Sequence, residues 1–433
     1  MDLTKQPPRR PSNTIVAGIA GLARMTDKAR ASNNEKLGDF KYGDDSGLDR
    51  EVLGLIGIDA KEFAIAAGDK TDDELSEWVI SKVSGKKEAI SQFNQEEITR
   101  EPQDDLHVGL LKERLAKFAP DRNDIKTVFA SIELDDWGCF KDRDLTQSPP
   151  RSPYVRDVFS VVGVARMADK ARASMGGKLG EYQFGENSGL DKRILDFTGI
   201  DADHFREAAY THPNDCELSE WLGGNCKKNA QEISIFNAHE VNYGRYGMAL
   251  EQLKIRRTEI HPDRADIETF FDLMDLDDET CFGLTDLSRH APRSVYDETV
   301  GGVAGLARMI DKYRALHGCS LGDYWVGEDS GFDRSILEFL DLSSSEFSQA
   351  VERSDNEDAL LNSLDNCLGR KSAVEKTEFN NKLLTLGPDN DQQLTFFCEA
   401  IRNLDPKRRE LRSWAALTTL DDQISFARLK VGT

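Results

Sequence analysis

The chain repeats itself. An Arg-Met-x-Asp-Lys-x-Arg run places an aspartate at Asp27, Asp169 and Asp311, and both intervals are 142 residues (169 − 27 = 142; 311 − 169 = 142). Three such periods fill nearly all of the 433 residues. A solenoid module repeats every ~20–50 residues, so a period this long marks a unit that can bury a core of its own. The repetition also works as an internal alignment, separating positions held in all copies from positions that drift.

The expected domains are 1–146, with an N-terminal arm at 1–11, then 147–290 and 291–433, the third being the most diverged in its second half. The joints are Pro-rich: Ser148-Pro149-Pro150-Arg151-Ser152-Pro153 and His290-Ala291-Pro292-Arg293-Ser294, with Pro8-Arg9-Arg10-Pro11 before the first copy. Proline fixes its own φ and extends the residue before it, so each joint reads as a short, stiff connector.

The fold class is mainly α, three tandem homologous helical domains of about five or six helices each, plus one short extended loop segment. The first helix is expected over Ile15–Ser32, with Ile19, Leu22, Thr26 and Ala29 on one stripe. Ala20, Gly21 and Ala31 lie on the opposite side, which places the helix at the centre of its domain. The loop Leu37–Gly43 follows, and its glycines recur. Ser46-Gly47-Leu48-Asp49, Ser188-Gly189-Leu190-Asp191 and Ser330-Gly331-Phe332-Asp333 read as helix caps, a serine followed three residues later by an acid. Phe93-Asn94, Phe236-Asn237 and Phe379-Asn380 recur further on. A turn at Pro120-Asp121-Arg122, Pro262-Asp263-Arg264 and Pro406-Lys407-Arg408 precedes the last helix. That helix is expected to end, solvated, at Asp135-Asp136, Asp277-Asp278 and Asp421-Asp422.

The charged run is the strongest site candidate: Arg24, Asp27, Lys28, Arg30; Arg166, Asp169, Lys170, Arg172; Arg308, Asp311, Lys312, Arg314. At 100° per residue, Arg24 and Arg30 flank Asp27 by one turn, and Lys28 points away from the apolar stripe, towards solvent. The leading reading is a partly buried ion network in which Asp27 holds both Arg forks and Asp49 offsets the surplus cation. The alternative is an anion pocket, because two Arg and one Lys against one Asp leave net positive charge and Arg forks fit carboxylate or phosphate. Asp27 as a general base is a third. The acidic loop Gly43–Asp49 could bind Ca²⁺ through oxygens, but it lacks the EF-hand spacing and capping explains the same residues.

Bulk properties narrow the function. The net charge of −22 argues against duplex nucleic acid and anionic membrane and points to solubility, or to a basic partner or a cation. Seven cysteines with no CxxC and no position shared by all copies imply free thiols in a reducing, cytoplasmic setting. The seven histidines share no repeat position, so no His-based site common to the copies is expected, and no metal or cofactor. There is no apolar run of ~18 residues, and residues 1–12 lack the apolar core of a secretory signal.

Taken in combination, Pro-Arg-Ser, Gly-x-Ala-Arg-Met-x-Asp-Lys-x-Arg-Ala, Leu-Gly-[Asp/Glu]-aromatic, Ser-Gly-Leu-Asp-[Arg/Lys] and Phe-Asn resemble the bacterial 5069 family of domains of unknown function. The resemblance covers all three copies and implies a tandem triplication of a compact unit. It carries no activity. Copy three departs most after Phe347, where Trp78 and Trp221 have no clear counterpart. The expected function is a non-catalytic, multivalent protein-interaction or scaffold protein whose partner is a protein. A small-anion or metabolite binder or an enzyme, with one site per copy at the charged run, is the alternative.

Overall fold

A computed structural model describes residues 1–260, 267–282, 285–288, 290–318, 320–354 and 357–431, without the side chains of 358 and 427–431. The second-copy turn Pro262-Asp263-Arg264 and Cys319 lie outside the described residues. Among those described there are 21 α-helices and no strand. Repeat one carries α1 (Leu22–Asn33), α2 (Gly47–Ile56), α3 (Ala60–Asp69), α4 (Asp72–Lys82), α5 (Lys87–Thr99), α6 (Asp105–Phe118) and α7 (Val128–Phe140). Repeat two carries α8 (Val164–Met175), α9 (Gly189–Thr198), α10 (Ala202–Thr211), α11 (Asp215–Asn225), α12 (Ala230–Val241), α13 (Gly247–Ile260) and α14 (Phe270–Phe282). Repeat three carries α15 (Leu306–His317), α16 (Gly331–Leu340), α17 (Ser344–Glu352), α18 (Glu357–Leu368), α19 (Ala373–Thr385), α20 (Asp391–Leu404) and α21 (Trp414–Val431).

There are thus seven helices per repeat, where five or six are expected. In repeat one, the stretch from Thr71 to Asn94 divides into α4 and α5 at Gly85, whose φ is +84°. The first helix is also shorter than its apolar pattern. It starts at Leu22, because Gly21 at the N-cap has φ +81°; Gly163 and Gly305 stand there with φ +77°. A side chain there would strain the backbone and approach Val52 to 3.1 Å. The turn before α1 is held by the recurring asparagine. Asn94 accepts from Ala20 N–H at 2.8 Å and donates to Gly18 O at 2.7 Å, and Asn237 and Asn380 do the same for their own copies. The expected extended segment reduces to β-region backbone at Tyr42, Phe184 and Val326 before a 3-10 turn.

Residues 1–11 are no free arm. Leu3 is buried and its N–H donates to Lys36 O at 2.9 Å. Leu145 pairs with Lys178 and Leu287 with Ser320 in the same way. An Asp-Leu-[Thr/Ser] turn, at Asp2, Asp144 and Asp286, thus lies at this crossing in each copy. The recurring loop glycine exists for this crossing: a Cβ on Gly38, Gly180 or Gly322 would lie 3.1, 3.0 or 2.8 Å from the leader carbonyl.

Packing separates two compact units, Met1–Glu240 and Val241–Thr433. In the first unit, α1 to α4 enclose a core of Ile19, Leu22, Met25, Val52, Phe63, Leu75 and Val79. α6 buries no residue fully and pairs with α7 as an outer hairpin. In the second unit, α15 to α19 form the matching core around Met309, Tyr313, Ile336 and Phe347. Its hairpins hold separate apolar clusters, Phe397 and Ile401 with Leu417 and Leu420, and Leu253 with Leu273 and Leu276.

Two glycine substitutions should move stability in opposite directions. Gly21→Ala, at φ +81°, should cost about 1–2 kcal/mol. Gly54→Ala, inside α2 with open space around it, should stabilise by about 0.5–1 kcal/mol. Urea unfolding midpoints of the two variants decide it; equal signs would contradict the helix start.

Candidate functional site

α1 is enclosed on all sides, so a helix that steps 100° per residue sends each charged side chain into protein in a different direction. Arg24, Asp27 and Lys28 are buried and Arg30 is partly so. Four separate pairings follow.

Asp27 does not hold Arg24 and Arg30. Its oxygens are taken by Arg9 of the joint, through the backbone N–H at 2.8 Å, Nε at 3.0 Å and Nη2 at 2.8 Å. The remaining Arg9 Nη1 reaches Asp72 at the start of α4, at 2.5 Å. Arg151 spans Asp169 and Asp215, and Arg293 spans Asp311 and Glu357, in the same way. Burial works against the Arg9 charge, but the two carboxylates outweigh it and raise the pKa. Burial likewise opposes the Asp169 charge, yet Arg151 and Arg143 hold its carboxyl down at about 2.

Arg24 pairs with Asp136 of α7 at 2.5 Å and lies over the Phe40 ring at 5.5 Å. Arg308 pairs with Asp422 at 2.7 Å over Tyr324, whose hydroxyl also donates to Asp422. Arg166 lies over Tyr182 at 5.4 Å. The acidic pair is therefore not a solvated helix end. Asp135 and Asp136 sit inside α7 and diverge as neighbours on a helix must, Asp135 to Arg114 of α6 at 3.0 Å and Asp136 to Arg24. These pairs fasten the hairpin to the core.

Lys28 is not solvated. Its Nζ donates to Asp49 at 2.6 Å and to Ser46 Oγ at 3.1 Å. Lys170 meets Asp191 and Ser188, and Lys312 meets Asp333 and Ser330, at nearly the same distances. Burial pushes Lys28 down to about 8 against the pull of Asp49. Ser46, Ser188 and Ser330 cap their helices by accepting from the N–H of Asp49, Asp191 and Asp333. The acid does not return the bond to the serine backbone. Its second oxygen accepts from Gly43, Gly185 or Gly327 N–H at 3.0–3.1 Å.

Arg30 closes the C-terminus of α3, donating to Ala67 O at 2.9 Å, Lys70 O at 2.8 Å and Asp72 at 2.7 Å. A guanidinium there satisfies end carbonyls and the helix dipole together. Arg172 does the same with Ala209 and His212. Arg314 is half-buried and makes no hydrogen bond or ion pair with a described residue.

In repeat one the cluster thus balances, Arg9, Arg24, Lys28 and Arg30 against Asp27, Asp49, Asp72 and Asp136, with no surplus cation. Sequence reasoning missed Arg9, Arg151 and Arg293 as partners, and Asp72, Asp215 and Glu357. The first had a signal, an arginine exactly one joint away, 18 residues before the aspartate in every copy.

Within the first unit, repeat two seals the joint of repeat one. Asn214 Nδ2 donates to Pro7 O and Asp215 N–H to Gln6, both at 2.8 Å. Arg10 N–H donates to Glu217 at 2.7 Å, and Arg10 Nη2 reaches Thr211 O. Trp137 Nε1 donates to Tyr210 O at 3.0 Å with the rings edge to face. A cleft of about 290 Å³ opens on this seam between Arg10, Asn13, His212, Glu217, Glu220 and Trp221. Burial, with Glu220 and Glu133 nearby, pushes Glu217 up to about 7 against Arg10.

The family model described as Domain of unknown function (DUF5069) matches residues 5–137, 147–280 and 289–424. No curated protein matches the chain.

Arg24→Met leaves Asp136 buried and unpaired and should cost about 3–5 kcal/mol. Arg122→Met, which removes an exposed pair with Asp124, should leave the unfolding midpoint in place. Comparable losses would contradict the buried network.

The seam should respond to pH through Glu217. Its folded pKa of about 7 exceeds its ordinary 4.5. Its contribution to stability is therefore complete below 4.5 and fades as pH rises through 7. Denaturant unfolding of wild type and Glu217→Gln at pH 5 and pH 8 measures this. Wild type should lose ground to the variant on going to pH 8; a constant difference would contradict it.

Proposed function

The chain belongs to the DUF5069 family of domains of unknown function, in three tandem copies, and we propose that it acts as a non-catalytic interaction protein, a scaffold of three similar helical modules. One observation carries the reading. In repeat one the charged positions that recur in the copies are consumed inside the fold, each cation facing a carboxylate, which supports a structural cause for their constancy. Filled Arg forks weigh against the alternative, an anion or metabolite site at the cluster.

The exposed faces of the outer helices differ between copies. Leu106, Met248 and Phe396 on the outer helices α6, α13 and α20 are exposed apolar side chains in different settings. Such surfaces suit protein contacts, and the charge of −22 favours a partner with a basic face. A cytoplasmic location belongs to the same proposal. Cys139, Cys216, Cys226, Cys281, Cys367 and Cys398 are unpaired thiols, which a reducing compartment preserves. No helix among the described residues is long and apolar enough to cross a membrane.

Three modules engaging one partner assembly should bind with avidity. A partner of the full chain should bind residues 286–433 alone at least ~10-fold more weakly, as surface plasmon resonance would measure. Equal affinities would sink the multivalent reading.

A further inference from the structure

The cleft on the seam within the first unit is rich in acceptors. Glu217, Glu220, His212, Asn13 and Trp221 line its volume of about 290 Å³. Arg10 is the only Lys or Arg among its lining residues, and it is already engaged. Its Nη2 donates to Thr211 O, its backbone N–H donates to Glu217 at 2.7 Å, and its Nε lies 3.3 Å from the same carboxylate. A third acid, Glu133, accepts from the hydroxyl of Ser12, another lining residue. Burial pushes Glu217 up against the pull of Arg10, and Glu220 and Glu133 add to the push, so the three acids share one field. Three carboxylates against one guanidinium leave the cleft with surplus negative charge.

His212 adds a lone pair. Its Nδ1 lies 2.9 Å from Ala208 O, which can only accept, so Nδ1 carries the proton of the neutral ring and Nε2 keeps its lone pair. Burial, helped by Arg10 and Arg172, lowers the His212 pKa and keeps the ring neutral. Repeat one shows what an indole at this place on the helix holds. Trp78 follows Glu74 by four residues as Trp221 follows Glu217, and Lys82 Nζ lies over the Trp78 ring at 5.3 Å. In repeat two the lysine is replaced by Asn225, whose Nδ2 turns back to Trp221 O at 2.8 Å. Among the described residues no cation lies over the Trp221 ring, and the cleft opens beside this residue.

We propose that the seam cleft binds an aliphatic primary ammonium group, its protons accepted by Glu220, Glu217 and His212 Nε2, and its charge and carbon chain set against Trp221. An ammonium brings three donors and no acceptor, which suits a cleft whose free groups are acceptors. An indole is the aromatic ring that attracts a cation best. An anion would meet the surplus negative charge, and an uncharged ligand would leave that charge uncompensated. The ammonium can belong to a free amine or to a lysine side chain, and the recognition chemistry is the same. The site stands apart from the scaffold reading, since a free amine needs no protein partner.

Saturation-transfer difference NMR of the full chain tests it. The probes are n-butylammonium as the free amine, Nα-acetyl-lysine N-methylamide as the lysine side chain, and n-butanol as the uncharged control. An amine should bind with a Kd on the order of 1 mM, and n-butanol should give no saturation. Glu220→Gln removes one charge at an exposed position, so its unfolding midpoint should match wild type while binding weakens at least ~5-fold. Trp221→Leu should weaken binding ~5-fold as well. Glu77→Gln, the equivalent change in repeat one, should leave binding in place. Saturation of the lysine amide assigns the site to a lysine side chain, and saturation of butylammonium alone assigns it to a free amine; either supports the proposal. Silence from both amines, equal saturation of n-butanol, binding that survives both Glu220→Gln and Trp221→Leu, or an equal loss in Glu77→Gln would overturn it.

Discussion

An arginine held between two carboxylates is the interaction on which each repeat depends. Arg9 joins the chain leader to α1 through Asp27 and to α4 through Asp72. Buried ions lose several kcal/mol of hydration each, and only complete pairing offsets it. The three other pairs obey the same rule. Arg24 fastens the hairpin, Lys28 the capped loop and Arg30 the end of α3. One helix is thus the hub for four elements, and loss of any spoke leaves an uncompensated charge. That explains why these residues stay constant while the surface around them drifts.

The period, the helical class and the serine caps were legible because they rest on local spacing. Long-range partners were not. A helical wheel gives the direction of Arg24 but not the residue it meets, Asp136, which is 112 positions away. Lys28 points to solvent only if α1 has one buried stripe, and a helix enclosed on all sides has no solvent face. Adjacent acids suggest a solvated helix end, yet adjacency is what lets Asp135 and Asp136 serve two different arginines. Arg9 recurs at a fixed spacing before the aspartate, but it lies among the prolines of the joint, which by themselves imply only stiffness.

The joint itself has two sides. In repeat one its arginine locks α1 to α4 on the inner side, and its outer side forms the seam with repeat two.

The most direct test is a double-mutant cycle on Arg9→Ala and Asp27→Ala in the full chain, read by denaturant unfolding. A buried clamp predicts strong coupling, about 2–3 kcal/mol, with the double variant far less destabilised than the sum of the singles. Additive losses, with coupling under about 0.5 kcal/mol, would contradict it.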